Sequence, residues 1–156
     1  MTGARALLFF DTNVLIQLHV ATAPRHTEIT QAARLLLAQD YKVWISRQVL
    51  REYASVLTRS QPYTLPPAPA DVAAQLRLFE ANYRIADETA PVTAALCALL
   101  ETVPFGGKQV HDANIAATMQ AYGITHLFTL NPADFARFAH LITVITPADV
   151  VDSGLE

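Results

Sequence analysis

Five oxygen-bearing side chains, Asp11, Glu52, Asp112, Asn131 and Asp134, stand where an alternating α/β chain gathers ligands. Asp11 ends the apolar run Ala6-Leu7-Leu8-Phe9-Phe10, while Asn131 and Asp134 follow the run at 126–130. Open parallel sheets bind ligands beyond the carboxyl ends of their strands, which is where these three residues fall. Glu52 and Asp112 lie in helical patterns that can project acids toward the same crevice. Carboxylates so gathered repel one another unless a cation neutralises them. Their hard oxygen donors suit magnesium or manganese, which retain several waters. Zinc is disfavoured, because the chain has one cysteine and its five histidines are scattered.

Positioning those acids takes an alternation of strands and helices, and the hydrophobic pattern supplies one. Residues 6–10 form a short continuous apolar run, typical of a strand covered on both faces. Val14, Leu15, Ile16 and Leu18 predict a short helix, and residues 27–39 a second. A strand at 42–45 leads to Ser46, which can cap a helix through Gln48, Leu50, Tyr53, Val56 and Leu57. Prolines 62, 66, 67 and 69 make 61–70 a surface connection. Helix at 71–82, a short strand at 83–86, and a helix begun by Pro91 and ending near Val103 come next. The turn Pro104-Phe105-Gly106-Gly107 precedes a helix at 111–122, closed by Gly123. Strands at 126–130 and 141–145 flank a short helix at 133–138. This order predicts a mainly parallel sheet with helices on both faces.

The 156 residues are 52% hydrophobic, enough to bury a single core, so residues 1–156 are expected to form one domain. The N-terminal apolar run stops at Asp11, too early for a secretory signal, and no stretch approaches the length needed to span a bilayer. A cytoplasmic protein without membrane attachment is therefore expected. Cys97 sits in Ala94-Ala95-Leu96-Cys97-Ala98-Leu99-Leu100, where a buried packing role is expected rather than a nucleophilic one. The net charge of -3 gives no support for broad electrostatic capture of nucleic acid. A protein that grips phosphate through a bound cation needs less positive charge of its own.

Four segments then follow in a telling order: Phe9-Phe10-Asp11-Thr12-Asn13-Val14-Leu15, Glu52 in its helix, His111-Asp112-Ala113-Asn114-Ile115-Ala116-Ala117, and Thr129-Leu130-Asn131-Pro132-Ala133-Asp134-Phe135. Together they resemble the successive motifs of PIN domains, most closely those of VapC-like toxin ribonucleases, over residues 7–147. The resemblance implies a three-layer α/β/α sandwich and magnesium- or manganese-dependent endonucleolytic cleavage of RNA, with products carrying 5'-phosphate and 3'-hydroxyl ends. It implies Asp11, Glu52 and Asp112 as the acidic core. Asn131 can coordinate but brings no charge, so Asp134 is the preferred fourth acid. Thr12, Asn13 and Thr129 would orient the acids or a phosphate. A small antitoxin protein, an RNA substrate and a homodimer are the partners implied.

Each acid also has an ordinary structural role open to it. Asp11 and Asp134 can cap the helices that follow them, and Asp112 can serve as a first-turn dipole partner. Glu52 alone would read as a solvated residue or an ion-pair partner of Arg47 or Arg51, and it enters the set on motif order. Arg47, Arg51 and Lys108 are candidate phosphate contacts, and His111 is left outside the site. The apolar faces of the helices at 27–39 and 47–59 are mostly core, with part available as a groove for a partner segment. A haloacid-dehalogenase phosphatase would need a second aspartate where this chain has Asn13, and a receiver domain lacks its spacing here. The remaining rival is a catalytically silent PIN-like module that binds protein or RNA.

Overall fold

The structure, a computed structural model, describes residues 6–152. Its centre is one five-stranded sheet in the order β3-β2-β1-β4-β5, with every neighbouring pair parallel. The strands are β1 (Leu7–Phe10), β2 (Lys42–Ser46), β3 (Arg84–Ala86), β4 (His126–Phe128) and β5 (Thr143–Ile145). The sheet is thus fully rather than mainly parallel, and helices flank it in a three-layer α/β sandwich.

Register assigns the helices to faces. Phe9 pairs with Trp44, so both point to one side, and Trp44 meets Tyr122 of α6 (Gln109–Tyr122), with ring centroids 5.5 Å apart. Phe10 points to the other side, where it meets Tyr83. There Phe79 of α4 (Pro69–Asn82) and His19 of α1 (Thr12–His19) complete an aromatic cluster. The central strand β1 is therefore apolar on both faces, as its uninterrupted hydrophobic run requires.

Helix ends follow local chemistry. The Asp11 carboxylate accepts from the Thr12 N–H at the start of α1, and the Ser46 hydroxyl accepts from the Val49 N–H at the start of α3 (Arg47–Leu57). Gly123, at φ 68°, closes α6 in a left-handed conformation that a side chain would strain. α2 (His26–Ala38) and α5 (Ala90–Thr102) fall within a residue or two of expectation at each end.

Four details depart from the sequence reading. α4 starts at Pro69, inside the expected loop, because proline suits the first turn of a helix. β4 stops at Phe128, and Thr129 turns out of the strand while its N–H still bonds the Ile145 carbonyl at 3.1 Å. A final helix, α7 (Pro147–Asp152), was not expected, although Thr146 and Asp149 cap it reciprocally: the Thr146 N–H donates to Asp149 at 2.8 Å and the Asp149 N–H to the Thr146 hydroxyl at 3.3 Å. Cys97 is exposed, not buried. α5 packs inward through Val92 and Leu99, and a helix apolar nearly all round does not announce which side faces the core.

Candidate active site

Beyond the carboxyl ends of β1 and β4 lies a cavity of about 370 Å3, and Asp11, Glu52, Asp112, Asn131 and Asp134 all line it. Thr12 and Asn13 share that lining. Four elements deliver the five oxygen-bearing groups: the β1–α1 junction, the middle of α3, the first turn of α6, and a 3-10 helix at Pro132–Phe138 with its preceding residue.

Asp11 is the most enclosed, at 8% exposure. One carboxylate oxygen accepts from the Thr12 N–H at 2.8 Å, the other from the Thr129 hydroxyl at 2.8 Å. Asn13 spans the same gap: its amide nitrogen reaches Asp11 at 3.4 Å, and its carbonyl oxygen accepts from the Leu130 N–H at 3.2 Å. The Thr129 hydroxyl also accepts from the Asn131 N–H at 3.1 Å. This cross-bracing fixes the start of α1 against the segment after β4. Burial pushes the Asp11 carboxyl up from 3.8 to about 6; the Thr129 and Thr12 hydrogen bonds pull against that, and the charges of Glu52 and Asp112 add to it.

Glu52 is held from two sides. Its Oε2 accepts from the Thr12 hydroxyl at 2.6 Å and its Oε1 from the Gln48 amide at 2.9 Å. Thr12 thereby ties two acids together, one through its backbone and one through its side chain. Asp112 is half-buried, and burial raises it to about 6, helped by the negative charges of Asp134 and Glu52 and opposed by Arg137 and His111. Asp134 stays exposed in the first turn of the 3-10 helix, its N–H donating to the Asn131 carbonyl at 3.2 Å.

Among the described residues, no three His, Cys, Asp or Glu side chains close on one point as a finished ligand cage. A hard cation such as magnesium needs none, since it binds through one or two carboxylates and keeps several waters. The donors are all oxygens, and burial, with the neighbouring negative charges adding to it, raises Asp11 and Asp112. That chemistry fits a hard divalent cation.

The basic residues expected near phosphate lie elsewhere. Arg47 pairs with Glu80 and with Asp87, the latter at 2.9 Å, and Arg51 pairs with Glu88 at 3.1 Å. Neither these two nor Lys108 lines the cavity, whereas Arg59 does. Arg59 and Gln48 were both missed by the sequence reading. Helical spacing is the signal for Gln48, one turn before Glu52, whereas Arg59 stands two residues past the end of α3, where the pattern of the helix says nothing of it.

The model for the family described as the PIN domain matches residues 8–141, a span containing every acid of the cavity. Ribonuclease VapC24 of Mycobacterium tuberculosis, strains CDC 1551 / Oshkosh and H37Rv, is 27% identical over 133 residues, covering 85% of this chain and 91% of its own. A toxin-antitoxin complex from Klebsiella pneumoniae superposes with a TM-score of 0.62 at 25% identity, over 90% of this chain and 97% of that one. Mycobacterium tuberculosis VapC20, described as a sarcin-ricin loop cleaving toxin, superposes with a TM-score of 0.62 at 20% identity, over 87% and 96%. The last similarity is one of fold.

Proposed function

The chain belongs to the PIN-domain family, and from that premise we propose that it is a divalent-metal-dependent endoribonuclease, the toxin of a toxin-antitoxin pair. One observation carries the reading: Asp11, Glu52, Asp112 and Asp134 reach one cavity from separate elements, and none is in an ion pair among the described residues. A fold gains nothing from such crowding, because each ionised carboxylate makes the next harder to ionise. Bound magnesium or manganese supplies the positive charge that activates water and stabilises charge developing on the scissile phosphate. Asp11, Glu52 and Asp112 are the residues that hold it, with Asp134 preferred to Asn131 as the fourth.

The chain's other groups prepare that site. Asp11 Oδ1 and the two Glu52 oxygens each accept one hydrogen bond, from the Thr12 N–H, the Thr12 hydroxyl and the Gln48 amide, leaving a second lone pair on each for ligation. Asp11 Oδ2 is held by both Thr129 and Asn13. Arg59, on the same cavity, is the cation placed to meet a phosphate of the RNA. The names of the similar proteins, a ribonuclease and a toxin-antitoxin complex, support RNA as substrate and a small protein as partner.

For that partner the surface offers a separate cavity of about 700 Å3, with Leu18, Ala33, Leu37 and Val43 among its apolar lining and Arg34, Lys42 and Arg84 beside them. α2 contributes to it, whereas Tyr53 and Leu57 of α3 line a different, smaller cavity. A homodimer and a cytoplasmic location complete the proposal by family analogy. No described helix is long and apolar enough to cross a membrane.

RNA cleavage by purified protein, with magnesium, with manganese and with excess chelator, tests the reading beside an Asp112→Asn variant. Cleavage that requires metal and is lost in the variant is the expected result. Manganese binding without cleavage of any RNA offered would favour a silent binding module instead.

A further inference from the structure

Gln48 is 4% exposed and hydrogen-bonds from both ends of its amide. Its nitrogen donates to Glu52 Oε1 at 2.9 Å and to the His111 carbonyl at 2.8 Å, while its oxygen accepts from the Asn114 amide at 2.8 Å. That arrangement has one orientation only. Turning the amide over would set its oxygen against two acceptors, a carboxylate and a carbonyl, and its nitrogen against a donor. Both amide hydrogens are spent, one on an acid of the site and one on the residue immediately before another acid, Asp112. A buried glutamine thus links the middle of α3 to the first turn of α6, the two elements that carry Glu52 and Asp112.

We propose that Gln48 is a positioning residue of the acidic site: it aims the Glu52 carboxylate and sets its spacing from Asp112, and so raises affinity for a divalent cation without touching it. The proposal rests on the metal-dependent reading above. Glu52 can rotate about three side-chain bonds. Thr12 restrains one of its oxygens and Gln48 the other, so losing Gln48 leaves the carboxylate pivoting on a single hydrogen bond. Asn114 supports the glutamine from behind, and Glu88, 3.3 Å from the Asn114 amide and paired with Arg51, extends the support to the surface. Partners that orient metal-binding side chains typically contribute a factor of about 10 to 100 in metal affinity.

The test is a cycle of variants: wild type, Gln48→Met, Glu52→Gln and the double variant, titrated with Mn2+ by water-proton relaxation and melted in excess chelator. Methionine keeps the volume and removes the hydrogen bonds. The expected result is an affinity for Mn2+ about tenfold weaker in Gln48→Met, with no further loss when the same change is made in Glu52→Gln. A purely structural glutamine would lower the melting temperature in chelator yet leave Mn2+ affinity unchanged, or would weaken binding by the same factor in both backgrounds. Either outcome overturns the proposal while leaving the metal reading intact. Absence of Mn2+ binding by wild type overturns both. Asn114→Ala, which removes the support but keeps Gln48, provides a second route should Gln48→Met fail to fold. It is expected to shift Mn2+ affinity in the same direction by a smaller factor, again only while Glu52 is present; an unchanged affinity overturns the proposal.

Discussion

Asp112 is under two opposed demands. Its charge is wanted for a cation, yet burial and the neighbouring charges of Asp134 and Glu52 lift its carboxyl to about 6. Asp112→Asn therefore raises the melting temperature of the metal-free protein while lowering kcat for metal-dependent RNA cleavage by about 100-fold or more. A variant that melts lower in chelator contradicts the repulsion described here. Asp11 shares the predicament, and together the two carboxyls set a pH dependence. In the folded, metal-free protein both keep their protons to about pH 6, whereas the unfolded chain releases them near 3.8. The folded state binds more protons between those limits, so stability falls as pH rises from about 4 to about 6. Melting in chelator across that window should show the decline, and added Mg2+ should stabilise most above it. A melting temperature that rises steadily from pH 4 to 6 would exclude such raised carboxyls.

At the scale of the element, the site depends on where helices begin. α1 starts from its Asp11 cap, α3 from the Ser46 cap six residues before Glu52, and α6 three residues before Asp112. Ser46→Ala removes the acceptor for the Val49 N–H and is expected to cost about 1 kcal/mol, measured by denaturant unfolding. At the far end of α6, nothing crowds the position where a Gly123 side chain would lie, so Gly123→Ala meets only the penalty of its left-handed backbone, about 1 kcal/mol. An alanine variant as stable as wild type would show that the helix ends differently. Most of these boundaries were legible beforehand, because caps, prolines and the closing glycine are local signals. The start of α4 within a proline-rich loop and the Thr146–Asp149 box before α7 were equally local and simply went unread. The outward turn of Cys97 was not local. Only the packing of α5 against α6 decides which side of an apolar helix is covered.

For the molecule as a whole, acidic cavity and apolar groove are distinct surfaces. Phe10 lines the groove and its neighbour Asp11 the acidic cavity, so one short strand end serves both. Leu37 is 50% exposed on the groove, so its replacement disturbs little of the core. Leu37→Asp should leave the melting temperature nearly unchanged, within the range of about 0.5 kcal/mol usual for surface changes. It should release a co-expressed antitoxin while metal-dependent RNA cleavage persists. Retention of the antitoxin at wild-type strength would move its binding site away from this groove.

Strand and helix order, the parallel sheet and the acids worth watching were determined by sequence, since hydrophobic periodicity and an aspartate ending an apolar strand are properties of consecutive residues. Tertiary structure alone decided the company those acids keep. Thr129 lies 118 residues from the Asp11 it binds, and Gln48 lies 63 residues from the His111 carbonyl that holds it. Arg47 and Arg51, beside Glu52 in sequence, turn away to carboxylates on other elements, while Arg59 reaches the cavity from just past the end of α3. Hydrogen bonds and ion pairs act over a few ångströms, and the chain brings such distant groups that close only when the sheet has set its strand order.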